Sequence, residues 1–190
     1  KDVKCENKKE LEMIEEAYIK EYHNRILNKH IPGRMIINNV NEDKEHNLWI
    51  GTENGGLNIF NPSTEIFTTY RNDPSDNTSL SNNSVYSIYK DARANMWIGT
   101  FNGGINIINP EIKKFAHYKQ ILSANSLSNN NVLCIYEDSE KNTWIGTDGG
   151  GLNLFDPHTE KFSHFRHEKN NPNSICGDYV LSVCEDSRGN

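Results

Sequence analysis

Hydrophobic and polar residues alternate along most of the chain in short segments separated by polar turns. Val85–Lys90 is rich in β-branched and aromatic residues, which predicts a strand. A polar turn leads to a second apolar segment, Met96–Thr100. Residues 105–107 alternate apolar and polar side chains, as a half-buried strand does, and Phe115–Tyr118 forms a fourth segment. The pattern predicts four short antiparallel strands with no long helical connection.

This pattern is repeated along the chain, and each copy contains the tetrapeptide Trp-Ile-Gly-Thr. The tryptophans Trp49, Trp97 and Trp144 are separated by 48 and 47 residues. A period of about 40–50 residues with four strands per unit is typical of β-propeller blades. A fourth unit begins at Val180, and its tryptophan would fall just after Asn190. We therefore expect an all-β, incomplete propeller over residues 31–190, with three complete repeats and the start of a fourth.

Residues 1–30 have a different pattern. Apolar residues recur there every three or four positions among Glu, Lys and Asn, at Leu11, Ile14, Tyr18, Tyr22 and Ile26. This spacing predicts an amphipathic helix over about 8–28. The helix could be a degenerate blade edge, a cap on the propeller or an added expression segment.

The composition of the chain argues against several kinds of partner and site. Net charge is −6, and the 20 lysines and arginines are scattered, which argues against a nucleic-acid partner. The sequence contains no run of 18 apolar residues, so we expect no membrane contact in this part, and its first residues look like an internal or trimmed start. The four cysteines form no CxxC pair, which disfavours a zinc or redox site. Cys134 and Cys184 lie in predicted strands and are expected to be small buried side chains.

The longest shared motif is Glu/Lys-Asp-x-x-x-Asn-x-Trp-Ile-Gly-Thr-x-x-Gly-Gly-Leu-Asn-x-Phe-Asn-Pro. It resembles the two-component regulator propeller repeat over about residues 31–190, and Asn-Ser-Leu-Ser-Asn-Asn at 125–130 resembles the linker between blades in that family. The resemblance implies a seven-bladed propeller in the extracytoplasmic sensor region of a bacterial signalling protein. Such sensors resemble hybrid histidine kinases that detect glycan fragments, so an oligosaccharide or another small ligand is the expected partner. No kinase or cyclase output module is present in the sequence, and we expect no cofactor.

Candidate ligand-binding residues follow from blade geometry. In a propeller, the turn between the second and third strands shares a face with the linker to the next blade. The candidates on that face are Glu53, Asn54, Phe101, Asn102 and Asp148 from the turns, and Asn83, Asn130 and Tyr179 from the linkers. Amides, carboxylates and aromatic rings suit a polyhydroxylated ligand, although Asn and Asp are also ordinary turn residues. Glu53, Phe101 and Asp148 differ between units at one position, which favours them as ligand contacts.

Residues that recur unchanged are interpreted as structural. Asp43, Asp91 and Asp138 are expected to fix a turn, and Trp49, Trp97 and Trp144 to pack between blades. His164 and His167 lie three residues apart, which sends them to opposite faces of a strand, so we expect solvated positions rather than a metal site. The sequence contains no nucleophile elbow, phosphate loop or HExxH motif. A sensor is therefore favoured over an enzyme.

Two alternative functions stay open, a protein-interaction scaffold and a propeller lyase. A broad apolar patch would favour the scaffold, and a convergent acid–base pair would favour the lyase. The open edges of an incomplete propeller also predict a partner, which is either the remaining blades or a second copy of the chain.

Overall fold

The computed structural model describes residues 37–109, 114–122 and 125–186, all within one compact unit. The predicted helix over 8–28 and the boundary at residue 30 lie outside the described residues. The described strands form three four-stranded antiparallel sheets, here called blades 1, 2 and 3. Blade 1 contains β1 Ile37–Glu42, β2 Leu48–Thr52, β3 Leu57–Asn61 and β4 Ile66–Tyr70; blade 2 contains β5 Val85–Lys90, β6 Met96–Thr100, β7 Gly104–Ile108 and β8 Phe115–Tyr118; blade 3 contains β9 Val132–Glu137, β10 Thr143–Thr147, β11 Leu152–Asp156 and β12 Lys161–Phe165.

Strand order within each sheet follows the chain, from the inner strand to the outer strand. The second and third strands pair in the same register in each blade. The tryptophan of the second strand lies opposite an aliphatic residue of the third strand: Trp49 opposite Ile59, Trp97 opposite Ile107 and Trp144 opposite Leu154. The pairing of the first two strands shifts at the same place in each blade. The fold class predicted from the repeat is therefore confirmed as propeller blades of four antiparallel strands.

Two apolar cores hold neighbouring blades together. The first junction, between blades 1 and 2, contains Trp49 and Leu57 against Val85, Ile88 and other apolar residues of blade 2. The second junction, between blades 2 and 3, is built from the corresponding residues, Trp97 and Ile105 against Val132, Ile135, Ile145 and Phe155. Each tryptophan thus contributes to the core between its own blade and the next blade.

The glycine of each tetrapeptide permits this close packing. A Cβ atom on Gly99 would lie 2.6 Å from Cγ1 of Val132 in blade 3, and one on Gly51 would lie 2.7 Å from Cγ1 of Val85 in blade 2. Both distances are shorter than any normal carbon–carbon contact. The glycine thus leaves room for the valine that begins the inner strand of the next blade.

The fourth unit differs from the sequence-based expectation. Between Val180 and Asp186 the described backbone forms no strand, although Tyr179 makes an isolated bridge with Asp148. The amide of Val180 donates to the carbonyl of Thr147 in β10 at 3.1 Å, but no strand among the described residues pairs with the rest of the segment, and a strand needs a continuous partner. Cys184 is consequently exposed, so its predicted burial is wrong. Cys134 is half-buried; its Sγ donates to the Val180 carbonyl at 3.7 Å, and burial raises the pKa of its thiol.

Candidate functional site

The turn between the second and third strands of each blade contacts the linker that follows that blade. The amide of Gly56 donates to the Asn83 carbonyl at 2.8 Å, and the amide of Gly104 donates to the Asn130 carbonyl at 2.9 Å. The third copy of this bond joins the amide of Gly151 to the carbonyl of Asp178. Turns and linkers therefore lie on one surface, which we call the turn–linker face.

Asn54 and Asn102 form part of the scaffold of this face. Both adopt left-handed backbone conformations, with φ of 63° and 54°, which Asn tolerates better than most residues. The amide of Asn54 donates to Oγ of Ser84, which in turn donates to Oδ1 of Asn54 at 3.0 Å. The amide of Asn102 donates to Oδ1 of Asn131 at 2.6 Å. These two candidates thus have a clear structural role in joining turn to linker.

Asn83 and Asn130 close the linkers. Oδ1 of Asn83 accepts from the amide of Asn72 at 2.8 Å, and Oδ1 of Asn130 accepts from the amide of Gln120 at 2.6 Å. Asp178 makes the same bond with the amide of His167 at 2.7 Å. Because these side-chain oxygens are used within the linker, they are less available to a ligand than the variable residues of the turns.

The variable turn residues are accessible on this face. Phe101 is 45% exposed and makes an edge-to-face contact with Tyr86, with ring centroids 5.9 Å apart. Asp148 is half-buried beside Tyr179, which is 72% exposed. Glu53 is exposed on the blade 1 turn, and no contact between described residues joins it to either pair. Two candidate clusters result, and Tyr86, which the sequence analysis did not select, belongs to one of them.

The repeated aspartates lie in a different place, at the turn between the first and second strands. Oδ1 of Asp43 accepts from the amides of Glu45 and Asn47, and Oδ2 accepts from Nδ2 of Asn47 and, at 2.8 Å, from Nε1 of Trp49. Asp91 and Asp138 repeat the bond to tryptophan at 3.0 and 2.8 Å. Burial alone would raise the pKa of Asp138, but hydrogen bonds from Trp144, Asn142 and Glu140 outweigh it and lower that pKa. All three carboxylates are therefore hydrogen-bond acceptors inside turns.

Histidines hold the linkers instead of forming a common site. The Nε2 atoms of His117 and His164 lie 2.8 Å from the carbonyls of Ser79 and Ser126, at equivalent positions of blades 2 and 3. His167 instead contacts the Ile175 carbonyl through Nδ1. Within the described ranges, no three His, Cys, Asp or Glu side chains are grouped closely enough to bind a metal ion.

Sequence analysis missed the role of two buried amides. Asn106 and Asn153 are fully buried, although the alternation of their strands predicts a half-exposed polar side. Oδ1 of Asn106 accepts from the Ser81 amide, and its Nδ2 donates to Ser81 Oγ, both at 2.8 Å. Asn153 makes the same pair of bonds to Ser128. One feature of the sequence could have indicated this role: an Asn follows the first apolar residue of each third strand.

Together, the blade topology and the shared junctions define a β-propeller of repeated four-stranded units. Segments 79–102 and 126–149 match the family described as "Two component regulator propeller". The resemblance predicted from the motif is thereby confirmed for these two segments, each of which carries a two-component regulator propeller repeat. No curated protein matches the chain. None of the described residues forms a helix of the length and apolar character needed to cross a membrane.

Solved structures show the same fold. This chain is similar to two crystal structures of the extracellular domain of one B. thetaiotaomicron protein. One structure describes that protein as a hybrid two-component system, and the other describes it as a one-component system. The first has 26% identity and a TM-score of 0.62 over 80% of this chain, and the second 21% and 0.65 over 84%. The chain spans about a fifth of those chains, 21% and 20%. Virginiamycin B lyase from Staphylococcus aureus shares the fold at 14% identity and a TM-score of 0.54, over 74% of this chain and 44% of the lyase.

Proposed function

We propose that this chain is part of an extracytoplasmic ligand-sensing propeller of a bacterial signal-transduction receptor, with the turn–linker face as its ligand site. The observation that carries the proposal is a contrast on that face. Backbone hydrogen bonds from Gly56, Gly104 and Gly151 repeat in each described blade, whereas one neighbouring position of the turn changes from glutamate to phenylalanine to aspartate. A constant scaffold that presents variable side chains is suited to recognition.

The chemistry of the variable residues favours a glycan-derived ligand. Phe101 with Tyr86 offers an aromatic surface, and Tyr179 with Asp148 pairs a second ring with a carboxylate. Aromatic rings pack against the apolar faces of sugars, while carboxylates and amides accept and donate hydrogen bonds to hydroxyl groups. Similarity to extracellular domains of bacterial two-component proteins supports the extracytoplasmic location.

A thermal-shift screen of the purified protein against neutral oligosaccharides tests this function. For a ligand that raises the melting temperature, Phe101→Ala should weaken affinity by roughly three- to tenfold, the effect expected for one aromatic contact. Phe165→Ala is the matched control, because Phe165 is 42% exposed on the outer strand β12. Equal affinity losses in both variants, or no stabilising oligosaccharide in the screen, would contradict the proposed site.

A lyase is the less favoured alternative. The similarity to virginiamycin B lyase establishes a shared fold, and fold alone does not decide chemistry. The repeated aspartates are used in turns, while Glu53 and Asp148 are candidate acids on the turn–linker face, and Asp148 lies beside Tyr179. Cleavage of a glycan by the purified protein that is lost in Asp148→Asn would overturn the sensor proposal.

One observation favours a protein-interaction scaffold as the second candidate. Ile121 and Leu122 lie in the linker between blades 2 and 3 and are 63% and 110% exposed. The linkers before and after have Asp73-Pro74 and Glu168-Lys169 at this place, and exposed apolar side chains often mark protein contacts. Replacing both residues with Ser would weaken the binding of a protein partner but leave the affinity for an oligosaccharide unchanged.

A further inference from the structure

The turn between β6 and β7, here called the blade 2 turn, is held from both sides. The amide of Phe101 donates to the carbonyl of Ser84 at 3.0 Å, and Ser84 ends the linker before blade 2. The amide of Asn102 donates to Oδ1 of Asn131 at 2.6 Å, and Asn131 ends the linker after blade 2. The ring of Phe101 also contacts Tyr86 edge to face. Because these contacts fix the turn in advance, a ligand that binds there has little loop ordering to offset.

Among the three described turns of this face, only the blade 2 turn presents an unbonded side-chain amide. In the blade 1 turn, Oδ1 of Asn54 accepts from Oγ of Ser84 at 3.0 Å. The linker after blade 2 has Asn131 instead of a serine, and its side chain bonds to the backbone of Asn102. The exposed carboxamide of Asn102 therefore makes no hydrogen bond within the described part of the chain. The blade 3 turn has Gly149 at this position and offers no amide.

An aromatic ring and a free amide on neighbouring residues suit a single sugar unit. Phe101 and Asn102 follow one another in the turn, and both are exposed. The ring can pack against the C–H face of a pyranose, while the carboxamide donates to one hydroxyl group and accepts from the next. The blade 1 turn has no aromatic residue and the blade 3 turn has no amide. The blade 2 turn therefore matches a sugar best in its side-chain chemistry.

The blade 2 turn and the linker after it also differ in charge from their counterparts. These segments, residues 100–104 and 119–131, contain one basic residue, Lys119, and no Asp or Glu. The same segments of blades 1 and 3 each contain three acidic residues, which outnumber the lysines and arginines there. The acidic residues are Glu53, Asp73 and Asp76 in blade 1, and Asp148, Glu168 and Asp178 in blade 3. Of the three, the blade 2 turn with its linker is the one that favours an anionic ligand.

Lys119 lies directly beside the blade 2 turn. A Cβ atom on Gly104 would lie 3.2 Å from both Cα and Cγ of Lys119, so the stem of the lysine passes next to the turn. The side chain is exposed and makes no ion pair with another described residue. Its ammonium group is therefore available to a negative charge on a ligand that contacts Phe101 and Asn102.

We propose that the blade 2 turn binds an acidic sugar unit of an oligosaccharide. Phe101 packs against the C–H face of that unit, Asn102 bonds to its hydroxyl groups, and Lys119 pairs with its carboxylate or sulfate group. The inference rests on the proposed function, because it assigns one class of sugar to the turn–linker face. A neutral sugar keeps the first two contacts and binds more weakly, by the factor of up to about five that one exposed ion pair contributes.

Calorimetric titration of the purified protein with two pairs of probes tests the inference. Trigalacturonate is compared with its neutral methyl ester, and galactose 6-sulfate is compared with galactose. In at least one pair the anion should bind about three- to fivefold more tightly than the neutral probe, and the difference should shrink as added salt screens the charges. The pair that shows the preference identifies carboxylate or sulfate as the group that is bound.

Lys119→Gln should remove the preference for the anion and leave the melting temperature unchanged, because the lysine is exposed and has no ion-pair partner among the described residues. Arg166→Gln is the matched control. Arg166 begins the linker after blade 3, and its Cα would lie 3.4 Å from a Cβ atom on Gly151, so it occupies the same place beside a turn that lacks the ring and the amide. The preference should persist in Arg166→Gln.

Asn102→Gly tests the sugar contact separately from the charge. Glycine tolerates the φ of 54° at this position, so the substitution removes the carboxamide without straining the backbone. It should weaken the binding of both the anion and the neutral probe about three- to tenfold. Asn54→Gly is the matched control in the blade 1 turn and should leave both affinities unchanged.

Three results would overturn the inference: no preference for the anion in either pair, a preference that survives Lys119→Gln, or equal weakening by the two glycine substitutions. Absence of binding by all four probes would overturn it as well. None of these results would overturn the sensing function if a neutral oligosaccharide still stabilises the protein through Phe101. Failure of every oligosaccharide to stabilise the protein would overturn both.

Discussion

Among individual residues, the aspartate six positions before each tryptophan has the densest set of hydrogen bonds. Asp43 is 8% exposed and accepts from two backbone amides, one side-chain amide and the indole of Trp49. The carboxylate thus fixes both the turn and the orientation of the tryptophan ring in the first junction. Its recurrence in each unit reflects this geometric role.

Asp43→Ala should lower the free energy of unfolding by about 2–4 kcal/mol, because it leaves the Trp49 indole and two turn amides without their acceptor. Chemical denaturation followed by tryptophan fluorescence measures the change. Asp76→Ala is the control, since Asp76 makes its bonds to Thr78 in an exposed linker, and its effect should stay below about 1 kcal/mol. Similar losses in both variants would contradict the special role of Asp43.

Residue-level prediction from sequence succeeded where a residue acts within its own turn. The turn at Asp43 could be inferred from local sequence because the groups that its carboxylate binds lie two to six residues away. Asn106 and Asn153 could not, because strand alternation indicates only which side of the strand a residue faces. Their burial depends on Ser81 and Ser128, which lie 25 residues earlier in the chain.

At the scale of elements, each linker is attached to the blade that follows it. Asn106 of β7 holds Ser81, and His117 of β8 holds the carbonyl of Ser79. The backbone adds a bond from the amide of Phe115 to the carbonyl of Thr78 at 3.2 Å. The linker therefore packs as an additional layer on its own blade, and this arrangement positions the residues of the turn–linker face.

The pH dependence of the free energy of unfolding should show how much the partly buried imidazole of His117 contributes to stability. Burial lowers the pKa of this imidazole and Lys119 lowers it further, while the Ser79 hydrogen bond opposes them. The folded state then binds a proton less readily than the unfolded chain, whose histidine pKa is about 6.5. This contribution to stability is present above about pH 6.5 and is lost as pH falls through the lowered pKa.

Denaturation curves of the unmodified protein and His117→Gln between pH 7.5 and pH 5 measure the effect. The slope of unfolding free energy against pH should be smaller in His117→Gln, which removes the ionisable group. His158→Gln serves as control, because His158 lies in an exposed turn of blade 3 and its described bond uses the backbone amide. A slope unchanged by His117→Gln would show that this contact does not contribute.

For the described part of the molecule, each junction between blades contains a close contact beside its apolar core. Gly99 allows Val132 of the next blade to approach, and Gly51 does the same for Val85. These contacts connect the second strand of one blade to the first residue of the next inner strand. The spacing between blades is consequently set at the inner side of the junction.

Gly99→Ala should destabilise the protein by about 1–3 kcal/mol, because its new methyl group overlaps Val132 and Ser87. Thermal and chemical denaturation measure the loss. In a Val132→Ala background, Gly99→Ala should cost less than it does in the unmodified protein if the clash with the next blade is the cause. Gly177→Ala is the control, since a Cβ there would have no atom within 4 Å. A loss that Val132→Ala does not reduce would assign the strain to Ser87 instead.

The larger architecture was more predictable than the site. The period of the tryptophans and the four apolar segments predicted the blades because each blade is built from local hairpins. Tyr86 was missed because its contact with Phe101 joins strand β5 to the turn after β6, and the sequence alone does not show that these two side chains meet. The strand expected after Val180 depends on pairing with a partner, which an apolar pattern cannot supply.

The attachment of each linker to the following blade has a consequence for how such chains lengthen. A gene segment that begins at a linker and ends after the outer strand encodes both partners of the Asn106–Ser81 and His117–Ser79 bonds. A segment that begins at the inner strand would separate these partners and encode half of each bond. Tandem duplication that starts at the linker therefore adds a unit whose internal bonds are complete at once, and we expect recombination boundaries in related genes to fall just before the linker.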